Sequence, residues 1–321
     1  MQAISFPGYG RVELIELPRP ALRDPGDAIV LVTTAAIGPW DIERFLSIGE
    51  DPIVPGGEFA GLVVETGESV TNVAIDDLVS NTVQNTSGNG QSRLFGSGSL
   101  PGGHAEYVRV PDADTTLTVI ADSGEERALL AGGTVGLGVN AATAAFLDTP
   151  ENTYAVVGCD PIGMTALISL KNKNAADRTI AIEDHDARRT LADGFAGSTF
   201  TSTDDFPANQ SDVVIVGSIR EYPGFETVIR AVKPGGTIIF SEPYSPARLV
   251  EAGIALPQGI TISAATWPTT QEVKKIVTEI QIRRLELTPL VSHMYPFDEA
   301  QDAYEAAAGP GTGVQKVLLK P

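Results

Sequence analysis

The stretch VVGCDPIGMTALISL, residues 156–170, restricts the fold more than any other part of this chain. A short β-branched run enters a tight turn and leaves as an apolar, helix-favouring segment, with glycines at 158 and 163. Such a strand–turn–helix suits the phosphates of a nucleotide, because the backbone N–H groups and positive end of the helix point at bound anions. Gly158 permits the bend and Gly163 permits close packing of helix on strand. The position between them, where a third glycine lets backbone approach the phosphate, holds Asp160. A carboxylate about 4 Å from a phosphate charge costs on the order of 1–4 kcal/mol, about one to three decades in affinity. Asp160 either opposes the ligand in this way or turns aside to cap the helix. The candidate cofactor residues are Gly158, Cys159, Asp160, Pro161, Ile162 and Gly163.

Around this turn the pattern alternates. TYAVVG, PIGMTALISLKN, RTIAIED, ARRTLADG, TFTST, DVVIVG, FETVIRAV and TIIFSE read as successive strands and helices, the signature of a doubly wound parallel sheet. Two glycines and a proline in VKPGGTIIF mark a turn between helix and strand. The first third reads differently. AIVLVTTAAI (28–37), EFAGLVVETG (58–67) and AEYVRVP (105–111) are strand-like and bounded by Pro and Gly, with a Gly/Ser/Asn-rich loop over 81–103. A chain of 321 residues is long for one core. The expected division is a β domain from residues 1–122 with 289–321, and an α/β domain over 123–288.

Composition narrows the function. A net charge of −19 disfavours nucleic acid as a partner, since phosphates would be repelled. The apolar runs fall short of the ~20 residues that cross a bilayer, so no membrane association is expected. Cys159 is the only cysteine, which excludes an internal disulfide and fits a reducing compartment. The opening MQAISFPGYGRVEL has no basic stretch followed by an apolar run, so no secretion signal is expected and the location expected is cytoplasmic.

In order along the chain stand RVELIELPRPALRDPGDAIVLVTTAAIGPWDIERF, PIVPGGEFAGLVVETGESV, GGHAEYVRVP, VVGCDPIG, AVKPGGTIIF and YPFDEAQDAYEAAAGPGTGVQKVLLKP. This set resembles the medium-chain dehydrogenase/reductase superfamily over nearly its whole length. The resemblance implies a GroES-like β domain joined to a Rossmann domain, with a nicotinamide cofactor between them. Zinc-type members carry Cys and His ligands in Gly-Ile-Cys-Gly-x-Asp and Pro-Gly-His-Glu. The corresponding residues here are Gly38 and Gly57, and AGGTVGLGVNAAT offers no further donor, so no catalytic zinc is expected. IGPWDIERF is closer to the Asn-Pro-x-Asp of zinc-free quinone oxidoreductases, with Pro39 and Asp41 matching.

The resemblance therefore implies a zinc-independent oxidoreductase that moves hydride between NAD(H) or NADP(H) and a small quinone, enone or similar substrate. The alternatives are a protein that keeps the fold without catalysis, and an alcohol dehydrogenase with substituted ligands. Glu183 and Asp184 end the second strand of the α/β series, where a carboxylate binds the ribose hydroxyls and repels the extra phosphate of NADP; NAD(H) is favoured. Thr143 matches an element beside the nicotinamide, or is a helix threonine bonded to backbone. Asp41 is catalytic or an N-cap, with the N-cap reading preferred. Glu58 moves a proton or pairs with an arginine. Trp40 fills the vacated metal site or walls a substrate pocket. His104 is expected to pack, His185 to face solvent and His293 to be structural. Many relatives are homodimers or homotetramers that extend the Rossmann sheet across a two-fold axis, and the strand TIIFSE is a candidate to lie near such an edge.

Overall fold

A computed structural model describes residues 1–47, 53–86, 91–120, 124–146, 151–217, 225–242, 259–309 and 313–321. Residues 87–90 of the Gly/Ser/Asn-rich loop lie outside the described residues, as do residues 48–52. Among those described, no single helix is long and apolar enough to cross a membrane.

The chain forms two compact units. The first comprises Met1–Gly133, Pro268–Arg283 and Val291–Pro321; the second comprises Thr134–Trp267 and Arg284–Leu290. The expected boundary at 122/123 lies outside the described residues, and the two units meet in the chain at 133/134. The helix Thr270–Gln281, expected in the α/β domain, belongs to the first unit. Its buried residues Val273, Ile276, Val277 and Ile280 make one stripe at helical spacing, and Thr269 with Glu272 closes a capping box at its start.

The first unit is built on a sheet in the order Val291–Pro296, Lys316–Lys320, Ala28–Ala36, Glu58–Thr66, Leu78–Asn81, Leu117–Val119, with Tyr107–Val110 also paired to Ala28–Ala36. Ala28–Ala36 alternates tight apolar residues and is buried along most of its length, as a central strand requires. Two register matches position the site described below. Ala36 faces Glu58 across one ladder, and Leu318 faces Ala36 across the other. The end of the central strand, the start of Glu58–Thr66 and the C-terminal strand are therefore brought to one place.

The second unit carries six parallel strands in the order Ser198–Phe200, Thr179–Ile182, Tyr154–Val157, Ser211–Val216, Val232–Phe240, Thr261–Ala264. In chain order this is 3-2-1-4-5-6, the Rossmann arrangement, whose order reverses between Tyr154–Val157 and Ser211–Val216. Thr261–Ala264 pairs outside Val232–Phe240, so TIIFSE lies near the edge of the sheet, one strand in from it. The helix Pro161–Asn172 is buried over Ile162–Leu170, consistent with its apolar composition.

Candidate active site

In the first unit the helix Pro39–Phe45 starts where the central strand ends. Its N-cap is Gly38, and Asp41 is the third residue of the helix rather than the N-cap. Both Asp41 carboxylate oxygens are engaged by backbone: Oδ2 accepts from the Gly38 amide at 2.9 Å and Oδ1 from the Gly56 amide at 2.8 Å. The side chain is fully buried. It fixes the helix start to the Pro55–Gly57 turn and thereby sets the distance between Gly38 and Gly57.

That spacing is filled by Trp40. A Cβ on Gly38 would stand 2.4 Å from Trp40 Cε2, and a Cβ on Gly57 would stand 2.3 Å from Trp40 Nε1. Side chains at the two positions that bear Cys and His in the zinc-type pattern would point at one spot, and the indole occupies it. A Cβ on Gly133 would meet Glu58 Oε1 at 2.5 Å. Beneath the indole, Lys316 Nζ lies 2.6 Å from Glu58 Oε2 and 5.8 Å from the Trp40 ring centroid. The arginine expected opposite Glu58 is instead this lysine.

Zinc in such centres takes Cys, His, Asp or Glu donors in tetrahedral array. Here the two inward-facing positions are glycines, a bulky ring stands between them, and Glu58 is engaged by an ammonium. Among the described residues no group of three or more His, Cys, Asp or Glu is placed to hold a metal ion. The residues present do not fit a catalytic zinc.

His104 is buried beside this site. Its Nδ1 is 2.7 Å from the Tyr304 hydroxyl and its Nε2 3.3 Å from the Ala36 carbonyl. Burial pushes the imidazole below its ordinary pKa, against the opposing pull of Asp41. The neutral tautomer with hydrogen on Nε2 satisfies both contacts, since the hydroxyl then donates to Nδ1. Burial likewise raises the Tyr304 phenol well above its usual range.

In the second unit, Gly158 takes φ +83°, and a Cβ on Gly163 would stand 2.0 Å from the Gly158 carbonyl oxygen. Both glycines are required by geometry. Asp160 caps the helix Pro161–Asn172, its Oδ1 accepting from the Gly163 amide at 3.0 Å. It is buried, and a Cβ on Gly217, just past the end of Ser211–Val216, would meet that same oxygen at 2.5 Å. The carboxylate thus stands between the helix start and the neighbouring strand end, at the reversal of strand order.

Glu183 is also buried. Its Oε2 accepts from the Cys159 amide at 2.7 Å and its Oε1 from the His185 amide at 2.8 Å. Burial raises its pKa while those two amides and Arg188 pull it down. Asp184 is exposed and turned away, binding the amide and hydroxyl of Ser202 at 2.7 and 2.8 Å. Cys159 is sealed in, and burial with the charges of Glu183 and Asp160 drives its thiol pKa well up, so it stays protonated. Thr143 is half-buried on the helix Thr134–Phe146. The structure therefore gathers Trp40, Asp41 and Glu58 at one site in the first unit. In the second it gathers Gly158–Gly163 with Glu183. Lys316 and His104 are the participants that sequence spacing did not assign to a site.

A parallel sheet of Rossmann order with a glycine turn at its switch point, and a GroES-like β unit, define a two-domain dehydrogenase class of fold. Comparison with known proteins agrees. Residues 24–121 match the alcohol dehydrogenase GroES-like domain. An alcohol dehydrogenase of Cupriavidus necator is 26% identical, across 100% of this chain and 99% of that protein. The L-threonine 3-dehydrogenase of Bacillus subtilis is 25% identical, across 98% and 96%. Among solved structures, the alcohol dehydrogenase of Thermus sp. ATN1 shares the fold with a TM-score of 0.82 at 23% identity, covering 100% of this chain and 99% of that one. Residues 24–121 thus carry the GroES-like domain of alcohol dehydrogenases, and the whole chain is similar to alcohol dehydrogenases and related oxidoreductases.

Proposed function

We propose that this protein is a zinc-independent, nicotinamide-dependent oxidoreductase acting on a small quinone, enone or other carbonyl-conjugated molecule, with NAD(H) preferred. The observation that carries this reading is the Trp40 ring standing where side chains on Gly38 and Gly57 would lie, above the buried Lys316–Glu58 pair. A zinc-type relative uses its metal to polarise the substrate oxygen. With glycine at both positions, that work falls to hydrogen-bond donors and fixed charge, which suffice for acceptors already activated by conjugation.

The second unit fits the adenosine end of a dinucleotide. Gly158 and Gly163 shape the turn, and Glu183 stands at the end of the second strand, where ribose hydroxyls are read. A carboxylate has about four acceptor sites, so two amide bonds leave capacity for a hydroxyl. Its negative charge favours NAD(H) over the phosphorylated cofactor. When bound, the nicotinamide supplies or takes up the hydride. Thr143 is proposed beside it on the superfamily resemblance. The assembly proposed is a cytoplasmic homodimer or homotetramer, to be measured by light scattering.

Metal content and nucleotide-dependent turnover on one purified sample test the reading. The expected result is far less than one zinc per chain, with NADH oxidised faster than NADPH in the presence of a quinone or enone panel. Stoichiometric zinc would overturn the metal-free reading. Absence of nucleotide binding at millimolar concentration would leave a fold kept for a non-catalytic role.

A further inference from the structure

Resting on the cofactor reading above, we infer that Asp160 acts as an internal substitute for the cofactor's diphosphate, so that the site recognises its ligand through the adenosine and draws little affinity from the phosphates. In a phosphate-binding turn the backbone amides at the helix start are the donors that receive the anion. Here three of the amides around the turn are engaged inside the chain. Cys159 donates its amide to Glu183 at 2.7 Å, Gly163 to the Asp160 side chain at 3.0 Å, and Met164 to the Asp160 carbonyl at 2.8 Å, while Pro161 has no N–H to give.

The place of the carboxylate matters as much as its bonds. Asp160 Oδ1 sits within 2.5 Å of where a Gly217 side chain would begin, so it lies between the turn and the adjacent strand end. That is the crevice at the reversal of strand order, where Rossmann ligands lie across the sheet. Only glycine at 217 leaves room for it. Asp160 is 3% exposed and Glu183 2% exposed, so neither charge is screened as a surface charge would be. A diphosphate entering this turn meets a buried carboxylate already holding one of its donors. The adenosine end faces no such competitor, because Glu183 accepts hydroxyls rather than repelling them.

Calorimetric titration of adenosine and of ADP-ribose into the full-length chain separates the two contributions. In the wild type, ADP-ribose should bind within about tenfold of adenosine. Asp160→Gly should tighten ADP-ribose by ~10- to 1000-fold, the range set by a carboxylate–phosphate repulsion at protein-surface dielectrics, and leave adenosine unchanged. Because Asp160→Gly also removes a helix cap, Asp160→Asn is measured beside it. Asparagine keeps an acceptor for the Gly163 amide without the charge, and it should tighten ADP-ribose at an unchanged thermal midpoint. The inference fails alone if both folded variants bind ADP-ribose as the wild type does. It also fails alone if the wild type already binds ADP-ribose more than about a hundredfold tighter than adenosine. If none of the three forms binds either ligand at millimolar concentration, the inference falls together with the cofactor reading.

Discussion

Lys316 Nζ lies 2.6 Å from Glu58 Oε2, with both side chains at most 2% exposed. Neither charge could be left alone at this depth, because a buried unpaired ion costs several kcal/mol. Lys316→Met should therefore destabilise the fold by about 3–5 kcal/mol. The double variant Lys316→Met/Glu58→Gln should recover most of that loss, since it removes both charges together. Urea denaturation of the two single variants and the double variant checks this. A double variant as unstable as the sum of the singles would show that the two residues do not act as a pair.

Trp40 and Gly57 give a second coupled pair. A Cβ on Gly57 would lie 2.3 Å from the indole nitrogen, so Gly57→Ala forces the ring to move. Overpacking of this kind costs about 1–3 kcal/mol. Trp40→Ala alone should cost about 3–5 kcal/mol through the cavity it leaves. In the Trp40→Ala background the added methyl has room, and Gly57→Ala should cost less than in the wild type. On the proposed metal-free reading, zinc added in excess, or a chelator, should leave the thermal midpoint of the wild type unchanged, since the ring stands between these positions.

How far the sequence carries can be read at these same residues. The turn at 156–170 was legible because its signals are local: two glycines at a fixed separation, a preceding β-branched run and a following apolar helix. That glycines stand at 38 and 57, where the zinc-type pattern has Cys and His, was legible by position in a known motif. Lys316 was not, because its partner is set by a strand ladder that joins the C-terminal strand to Ala28–Ala36. Its signal is a lysine inside the apolar run VQKVLLK, which an exposed strand would also show. His104 and Tyr304 meet across 200 residues, and no spacing rule links them. The helix Thr270–Gln281 showed its amphipathic stripe in the sequence, but a stripe says which face is buried and not which unit buries it. The strand Thr261–Ala264 is four residues long with every side chain partly or fully exposed, so it lacks the apolar run that marked its neighbours.

Acid should expose the burial of His104. The folded protein holds this imidazole neutral and its pKa below 6.5, chiefly through burial. Below pH 6.5 the unfolded chain takes up a proton that the folded chain refuses, so the free energy of unfolding declines as pH falls. The loss starts near pH 6.5 and continues down to the folded-state pKa, with a slope of at most about 1.4 kcal/mol per pH unit from this group. Above pH 7 the contribution is constant. His104→Gln cannot take the proton in either state, and its stability should change less between pH 6.5 and 5. Urea midpoints of both proteins across pH 5–8 test this, and parallel curves would remove His104 as the cause.

Two glycines on different elements make the last prediction, which concerns the turn itself. A Cβ on Gly163 would lie 2.0 Å from the carbonyl oxygen of Gly158, and the obstacle is backbone held by the amide bonds of the turn. Nothing there can rotate away, so the helix would have to leave the strand. Gly163→Ala should destabilise the protein by about 1–3 kcal/mol and weaken binding of any adenosine-containing ligand. At Gly8 an added Cβ meets nothing within 4 Å and the backbone is not left-handed, so Gly8→Ala should stay within about 0.5 kcal/mol of the wild type. The comparison separates steric exclusion at the turn from the general effect of replacing glycine by alanine. Equal changes at both positions would mean that the close approach of Gly163 to Gly158 is not what holds the turn in shape.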